Sequence, residues 1–465
     1  MNFKSIMASI ALAQAIAYAT VGSVCAQELA PADTIRISSD AIAVPLEEEV
    51  PVAWTFDDCL NWALANNTDL QRTKLNILLA RQDVLSAKDA WLPNIHFSTD
   101  QNFTNYPSAE SGRKTNTYGS SYSIGASWTV WEGNVRKYRT ESAKLIELQQ
   151  ALAGDDVVRN LKIGILEAYI NIMYAQEAVK IAEQTLEVST AQTERILKLS
   201  ESGQSSQVDY AQIESQRAQD AYSLTQARTN YRTAVMALKR ILILGLNDTL
   251  RVEPVYFTEE QVLAPLPDMQ AVYDLAAEWL PQFRSNELAK SIYSNDVKIA
   301  RSSALPKIRL QGAVGTGYTS GTSTGWASAM GHNFNENIGL TLSVPIFDGN
   351  ATKRAVAKAR LAELEYDLKK KDLLDDLSQT IESLYIDAAN AQARYEAGVK
   401  KRKAMQLTDD LVNSQFELGK VNPLDLLTAH NNLLDARLEL LQSKFMAILA
   451  AKTINYYATQ ELELK

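Results

Sequence analysis

Parts of this chain alternate apolar and polar residues with period two; most of the rest places its apolar residues at three- and four-residue steps. After Leu305-Pro306, the residues Ile308, Leu310, Val314 and Tyr318 share one parity, and Lys307, Arg309, Gln311 and Ala313 share the other. A loop of Gly, Ser, Thr and Asn spans residues 319–337. Alternation then resumes, with Ile338, Leu340, Leu342, Val344 and Ile346 against Gly339, Thr341 and Ser343. An earlier pair has the same form. Ile95, Phe97, Thr99 and Phe103 alternate with His96, Ser98, Asp100 and Asn102. Beyond a polar loop at 104–120, Tyr122, Ile124, Ala126, Trp128 and Val130 alternate with Ser123, Gly125, Ser127 and Thr129. Successive strand side chains point to opposite faces, so each run predicts a strand with one apolar face. Runs of about ten residues fit tilted strands crossing a bilayer. Ile308, Leu310, Leu340, Leu342, Tyr122, Ile124 and Trp128 are the candidate lipid-facing positions.

The remaining segments predict helix. One begins at Phe56 and carries Leu60, Ala63, Leu64, Leu75, Leu78 and Leu79 as far as Leu92-Pro93. No proline occurs from Ser108 to Glu253. A proline inside a helix costs about 3 kcal/mol, so this absence is itself a helix signal. Residues 134–202 predict a helix of roughly 100 Å at about 1.5 Å per residue, with possible bends at Gly154 and Gly164. Gly203 breaks it, and a second helix spans about 206–244. Three of the twelve prolines fall in 246–268, marking a linker. A second long helix covers 350–418 and ends at Gly419. Asn422-Pro423 then starts the last helix as N-cap and first turn. In that helix Leu424, Leu427, Leu434, Leu438, Leu441, Phe445 and Ile448 form a heptad seam, with Asn431 as its polar gap.

The chain repeats itself. Leu92-Pro93-Asn94-Ile95 returns 213 positions later as Leu305-Pro306-Lys307-Ile308. Trp131-Glu132-Gly133-Asn134 returns 216 positions later as Phe347-Asp348-Gly349-Asn350. At the same spacing of 216, Tyr169 answers Tyr385, Gly203 answers Gly419 and Asp209 answers Asp425. Fixed-register landmarks of this kind predict two copies of one unit: helix, strand pair, long helix, tight turn, helix. The expected division is residues 1–26 signal segment, 27–53 leader, 54–245 first repeat, 246–268 linker and 269–465 second repeat.

Composition narrows the setting. The 465 residues carry a net charge of −9, which argues against nucleic acid, whose phosphates need clustered Lys and Arg. Lys4, the apolar run 6–18 and Val24-Cys25-Ala26 have the three parts of a secretory signal. Cys25 is a rival position for a lipid anchor, although Val24 stands where a small residue usually precedes such a cysteine. Without the signal segment Cys59 is the one cysteine left, which excludes an intramolecular disulfide and suggests a packed apolar role. No stretch offers 18 consecutive apolar residues for a spanning helix.

Hairpins that go out and return leave every helix on one side of a membrane. Four strands cannot close a barrel, and an open edge in hydrocarbon costs several kcal/mol per unpaired group. Other copies of the chain must complete it; three give twelve strands. The signal segment, the two Leu-Pro-x-Ile strand starts, the Gly-Asn after each strand pair and the Gly-x5-Asp turns together resemble the TolC-type outer-membrane efflux channels, across residues 54–457. That resemblance implies a mixed α and β membrane protein: a homotrimeric twelve-stranded barrel, four strands per chain, in the lipid of the outer membrane of a Gram-negative bacterium. Below it an α-helical coiled-coil barrel would cross the periplasm. It further implies the exit duct of a tripartite efflux or secretion system, a passive channel docking a periplasmic adaptor and an inner-membrane transporter, without catalysis or cofactor. The helical tips would hold the closed entrance, with Gly203, Gln204, Gly419 and Lys420 meeting the adaptor. An aspartate ring of the family falls on Asp425, with Asp209 its counterpart in the first repeat. A second family aspartate falls on Thr428, which departs from the pattern and weakens any acidic constriction.

Asp425 and Asp209 also have a plainer reading as third residues of capped helices, stabilised by the helix dipole by about 0.3–1 kcal/mol. The alternative to the duct is a barrel-anchored coiled-coil scaffold or adhesin. Other chemistry is thin. His96, His332 and His430 lack ligand spacing. Asp375-Asp376 and Asp409-Asp410 read as solvated helix surface. Gly315, Gly317, Gly321 and Gly325 are not followed by the helix that a phosphate loop requires. Tyr122, Trp128, Trp131 and Tyr318 suit an interfacial aromatic belt.

Overall fold

The computed structural model describes residues 53–107, 116–320 and 325–464. The signal segment, Cys25 and most of the leader lie outside them. The elements in order are α1 Phe56–Asn66, α2 Thr68–Asp89, β1 Asn94–Asn105, β2 Asn116–Trp131, α3 Val135–Glu201, α4 Gln207–Leu242 and α5 Glu259–Val262. Then come α6 Met269–Trp279, α7 Pro281–Ser302, β3 Lys307–Thr319, α8 Trp326–His332, β4 Asn335–Ser343, α9 Ala351–Glu417 and α10 Pro423–Thr459.

The alternating runs form one four-stranded antiparallel sheet in the order β1-β2-β3-β4, so the two hairpins pair with each other through β2 and β3. Register puts Phe97 opposite Ile124 and Ile124 opposite Val314; it puts Trp128 opposite Leu310 and Leu310 opposite Leu340. Directly opposed residues share a face. The apolar parities therefore merge into one continuous surface. The register slips between Thr129 and Trp131, which leaves Val130 as the extra residue of a bulge.

Gly133-Asn134 and Gly349-Asn350 all take positive φ and swing the chain from sheet into helix. The first junction is held by Arg136, 5% exposed. Its Nη1 donates to the Ala90 carbonyl at 3.2 Å and its Nη2 to the carbonyl of the bulged Val130 at 3.0 Å; its guanidinium lies 4.6 Å from the Trp91 ring centroid. The helices α3 and α9 that follow have 67 residues each. Neither Gly154 nor Gly164 interrupts α3.

Helix α3 packs on α4, and α9 packs on α10; α2 and α7 lie against α3, and α7 also lies against α9. The largest apolar cluster surrounds Trp54 and Tyr169, both fully buried. Burying each such ring is worth about 1.5–3 kcal/mol. Here the linker is stitched to the rest: Trp54 N donates to Arg251 O at 2.8 Å, Glu253 N to Trp54 O at 2.9 Å and Tyr169 Oη to Glu253 O at 2.8 Å. Cys59 is fully buried, and burial pushes its thiol up to about 12, which keeps it an inert apolar group.

Several expectations are corrected. The first helix is two, because Asn67 accepts from the N–H groups of Asp69 and Leu70 and so caps a new helix. Strand β4 stops at Ser343, since Pro345 has no N–H for a ladder, and Val344 and Ile346 lie beyond it. The 319–337 loop contains helix α8. Leu424 of the leucine seam of α10 is exposed, and a second stripe, Leu426, Ala429, Leu433, Ala436, Leu440, Ser443 and Ala447, is buried or half-buried beside the seam. Small residues on that stripe allow close approach. At Gly398 of α9 a Cβ would stand 3.3 Å from Leu440 Cδ1. The predicted seam faces the other way, towards α3 and α4, where Phe445 meets Tyr174 edge-on at 6.4 Å.

Candidate pore entrance and apolar sheet face

Both long helices end in the same cap. Gly203 (φ +73) and Gly419 (φ +68) take the left-handed conformation that glycine tolerates best. Gln204 N then donates to Leu199 O at 2.8 Å and Gly203 N to Ser200 O at 3.0 Å. In the second turn Lys420 N donates to Gln415 O at 3.0 Å and Gly419 N to Phe416 O at 3.0 Å. This double bond pattern satisfies carbonyls that a helix end leaves free. It turns the chain sharply enough for α4 and α10 to run back along α3 and α9.

The returning helices start differently, and the difference separates the two aspartates. Ser206 and Asp209 form a closed capping box: Asp209 N donates to Ser206 Oγ at 3.0 Å, and the Asp209 carboxylate accepts from Ser206 N at 3.0 Å and from Ser205 Oγ at 3.2 Å. Those hydrogen bonds, the backbone one first, hold the Asp209 carboxyl below its usual range. In α10, Asp425 N donates to Asn422 Oδ1 at 2.9 Å, but the cap has no reciprocal bond to the Asp425 carboxylate, and the residue is exposed. Asp209 is thus committed to its cap, while the Asp425 side chain is left exposed. Thr428 is exposed and donates its hydroxyl to Leu424 O at 2.8 Å.

Sequence reasoning missed what joins the two tips. Ile196, Ile213 and Leu426 are buried together, with Leu199, Tyr210, Val412, Phe416 and Leu427 packed around them, so four helix ends share one apolar knot. Beside it Arg195 Nη1 meets Glu417 Oε1 at 2.9 Å. Above it lies a polar layer: Gln216 Nε2 donates to Asn431 Oδ1 at 3.1 Å and to Asp220 Oδ1 at 2.9 Å. Asn431, the gap in the predicted seam, thereby ties α10 to α4. Asp409 is not solvated surface. It is half-buried with His430 Nδ1 at 4.0 Å, and burial raises its carboxyl above the usual range against the opposing pull of His430. Such pairings join residues far apart in sequence and leave no periodic trace.

At the other end of the helices, the sheet places all seven residues predicted to face lipid on one surface. Ile308 lies opposite Leu342, Leu310 opposite Leu340 and Trp128, and Tyr122 opposite Thr99 and Thr316. Leu340 is 69% exposed and Ile124 50%. Soluble chains rarely leave so continuous an apolar face uncovered. The opposite face carries His96, Ser98, Asp100, Ser121, Ser123, Arg309, Gln311 and Thr341, with Ser98 Oγ and Ser123 Oγ hydrogen-bonded at 2.8 Å. No described helix is long and apolar enough to cross a membrane.

An exposed apolar sheet carried on paired long helices is the build of outer-membrane channels, and solved structures share it. The chain matches CusC with a TM-score of 0.69 at 18% identity, covering 88% of this chain and 95% of that one. It matches the CmeC outer membrane channel of Campylobacter jejuni with a TM-score of 0.68 at 17% identity, covering 90% and 92%. The family described as outer membrane efflux protein matches residues 59–242 and 272–451, and the chain belongs to it. Relatives include the outer membrane efflux protein BepC of Brucella suis, 23% identical over 87% of this chain and 85% of that protein. The cobalt-zinc-cadmium resistance protein CzcC of Cupriavidus metallidurans is 25% identical over 70% and 73%. Transport through the outer membrane is therefore the work of this chain.

Proposed function

We propose that three copies of this chain close a twelve-stranded barrel in the outer membrane, and that their helices continue it across the periplasm as a passive exit duct. The carrying observation is the sheet: its apolar face is exposed, and among the described residues β1 and β4 each pair on one side only. In hydrocarbon such edges must be paired, and closed rotational symmetry pairs them with further copies. Matching landmarks support the chain as two copies of one unit, 54–245 and 269–465 joined by the 246–268 linker: 67-residue helices, left-handed Gly-Asn junctions and twin caps. Ile308, Leu310, Leu340, Leu342, Tyr122, Ile124 and Trp128 then face lipid.

The entrance is at the tips. Asp425 lines it and attracts cations, Thr428 stands one turn further on, and Asp209 holds its helix end. Gly203, Gln204, Gly419 and Lys420, at the turn apices, meet a periplasmic adaptor that couples the duct to an inner-membrane transporter. The test is planar-bilayer recording of the full-length protein with native mass spectrometry, alongside toxin susceptibility of a deletion strain. A trimer with cation-sensitive conductance and a susceptible deletion strain is expected. A non-conducting assembly and unchanged susceptibility would sink the reading.

A further inference from the structure

Helix α8 interrupts the connection between β3 and β4, and two hydrogen bonds fix its place on the sheet. Thr316 Oγ1 donates to Met330 O at 2.6 Å, and Asn333 Nδ2 donates to Gly317 O at 2.6 Å. Thr316 stands opposite Tyr122, and Val314 stands opposite Ile124. Side chains two apart in a strand share a face, as do side chains directly opposed. The Thr316 hydroxyl therefore points out of the apolar face, and α8 lies on that side of the sheet. In a closed barrel that side is the outside, so α8 is no lid over the lumen.

The strands account for the placement. Among the described residues, β3 pairs with β4 only as far as Gly315 opposite Asn335, and residues 316–319 of β3 run on past the end of β4. A helix or loop commonly covers such an edge. Asn333 does so here, binding Gly317 O where the ladder has ended. The level on the sheet is marked by chemistry. On its apolar face β4 carries Leu342, Leu340 and Ile338 in succession, and then Glu336, opposite Val314. Charge is costly on a lipid-facing strand except near the interface, so the apolar layer ends at about Val314. Beyond it the rings of Tyr118 and Tyr318 lie 6.4 Å apart, as an aromatic girdle requires. Helix α8 sits at that girdle, at the end of the sheet away from the long helices.

The helix itself suits a wet boundary. Residues 325–335 include no Lys, Arg, Asp or Glu. Ala329 is buried and Met330 half-buried, whereas Trp326 is 49% exposed and Phe334 55%. His332 Nδ1 lies 2.8 Å from Ser328 O and 3.2 Å from Ser328 Oγ, so the polar side chains of α8 meet one another. An indole ring combines an apolar body with one N–H donor and favours the level where lipid chains meet headgroups. We propose that α8 lies in the headgroup layer of the outer leaflet, with Trp326 and Phe334 among the lipids, and so ties the outer rim of the barrel to the membrane surface. The proposal rests on the reading of the apolar sheet face as lipid-facing, and α8 continues that face at its upper edge. Without charges of its own, α8 is held by its rings and not by lipid phosphates, so zwitterionic lipid is a sufficient partner.

Tryptophan fluorescence of the full-length protein in phosphatidylcholine vesicles tests this. The lipid chains are brominated either near the headgroup or near the methyl end. The emission that Trp326→Phe removes reports on α8, and the emission that Trp128→Phe removes reports on the sheet. The Trp326 emission should be quenched more by the shallow bromine than by the deep one, and only weakly by aqueous acrylamide. Thr316→Val, which cannot donate to Met330 O, should raise the acrylamide quenching of Trp326; no change would overturn that hydroxyl as the tether of α8. Acrylamide quenching of Trp326 without bromine quenching would put the helix in water and overturn the proposal. Bromine quenching of Trp128 in the same vesicles would then leave the lipid-facing sheet standing. Bromine quenching at neither residue would overturn both. Shielding of Trp326 from both quenchers would mean that protein covers the helix, as a neighbouring copy would, and would equally overturn its place among lipids.

Discussion

Arg195, two turns before the end of α3, reaches across to Glu417, the last residue of α9, and closes an ion pair of 2.9 Å between the two helix tips of one chain. Both side chains are about half exposed, at 44% and 52%. An exposed pair of this kind contributes about 0.2–1 kcal/mol, too little to matter for folding but enough to bias a gate. Arg195→Ala or Glu417→Ala should raise the open fraction of the reconstituted channel by up to about five-fold, the equivalent of 1 kcal/mol. The charge-swapped double variant, Arg195→Glu with Glu417→Arg, should return it towards the parent. Single-channel open probability is the measurement, and a swap no better than the single variants would exclude the pair as a latch.

The two tip aspartates should part company. Asp425→Asn keeps the N–H that Asn422 caps, so stability should hold while block by divalent cations weakens. Ser206→Ala should cost α4 about 0.5–2 kcal/mol at its start with conductance unchanged. The pH dependence follows from Asp209. Its folded carboxyl is depressed by the cap, so its contribution is present above the unfolded value near 3.9 and is lost as pH falls through the lower, folded one. Hydrogen exchange at the first turn of α4, followed below about pH 4, reads this directly. Protection that is flat with pH would contradict it.

Asp409 has the opposite sign. Burial raises its carboxyl, so the folded chain holds that proton more tightly than the unfolded one. Its stabilisation is full below the unfolded value and is lost as pH rises through the folded value. Asp409→Asn should therefore raise the melting temperature at neutral pH, and the gain should shrink in acid. An equal gain at both would mean that the charge is not responsible.

Arg136 should be the costliest single loss at the junction of sheet and helix. Arg136→Met preserves bulk but removes the two part-buried hydrogen bonds to the Ala90 and Val130 carbonyls, at about 0.5–1.5 kcal/mol each. Scanning fluorimetry of the detergent-solubilised protein should show the drop, with Arg136→Lys intermediate. A melting temperature within a degree or so of the parent would mean that the bulge is held by the strands alone.

Strands and long helices were legible because each has a period, and because proline is absent from α3, α4 and α9. The break at Asn67 was not, since a capping side chain competes there with an unbroken apolar period. Helix α10 shows why periodicity stops short of packing. It carries two heptad stripes, one through Leu434 and Leu438 and one through Ala429 and Ala436, and their spacing is identical. Only the partners separate them. The tips were legible as turns from Gly203 and Gly419. The roles of Asp209 and Asp425 were not, because they hinge on whether a carboxylate bonds back to its own cap.

The paired lengths of α3 and α9, 67 residues each, also constrain how this molecule can change. A residue added to one long helix shifts its tip by about 1.5 Å and rotates everything beyond it by about 100°, pulling one side of the knot at Ile196 and Leu426 out of level with the other. Length can be altered only in concert, across both long helices and both returning ones, and in seven-residue steps that restore each stripe to its groove. The chain behaves as a matched pair of rulers graduated in units of about 10 Å, and an engineer wishing to span a wider periplasm would have to lengthen all four helices together.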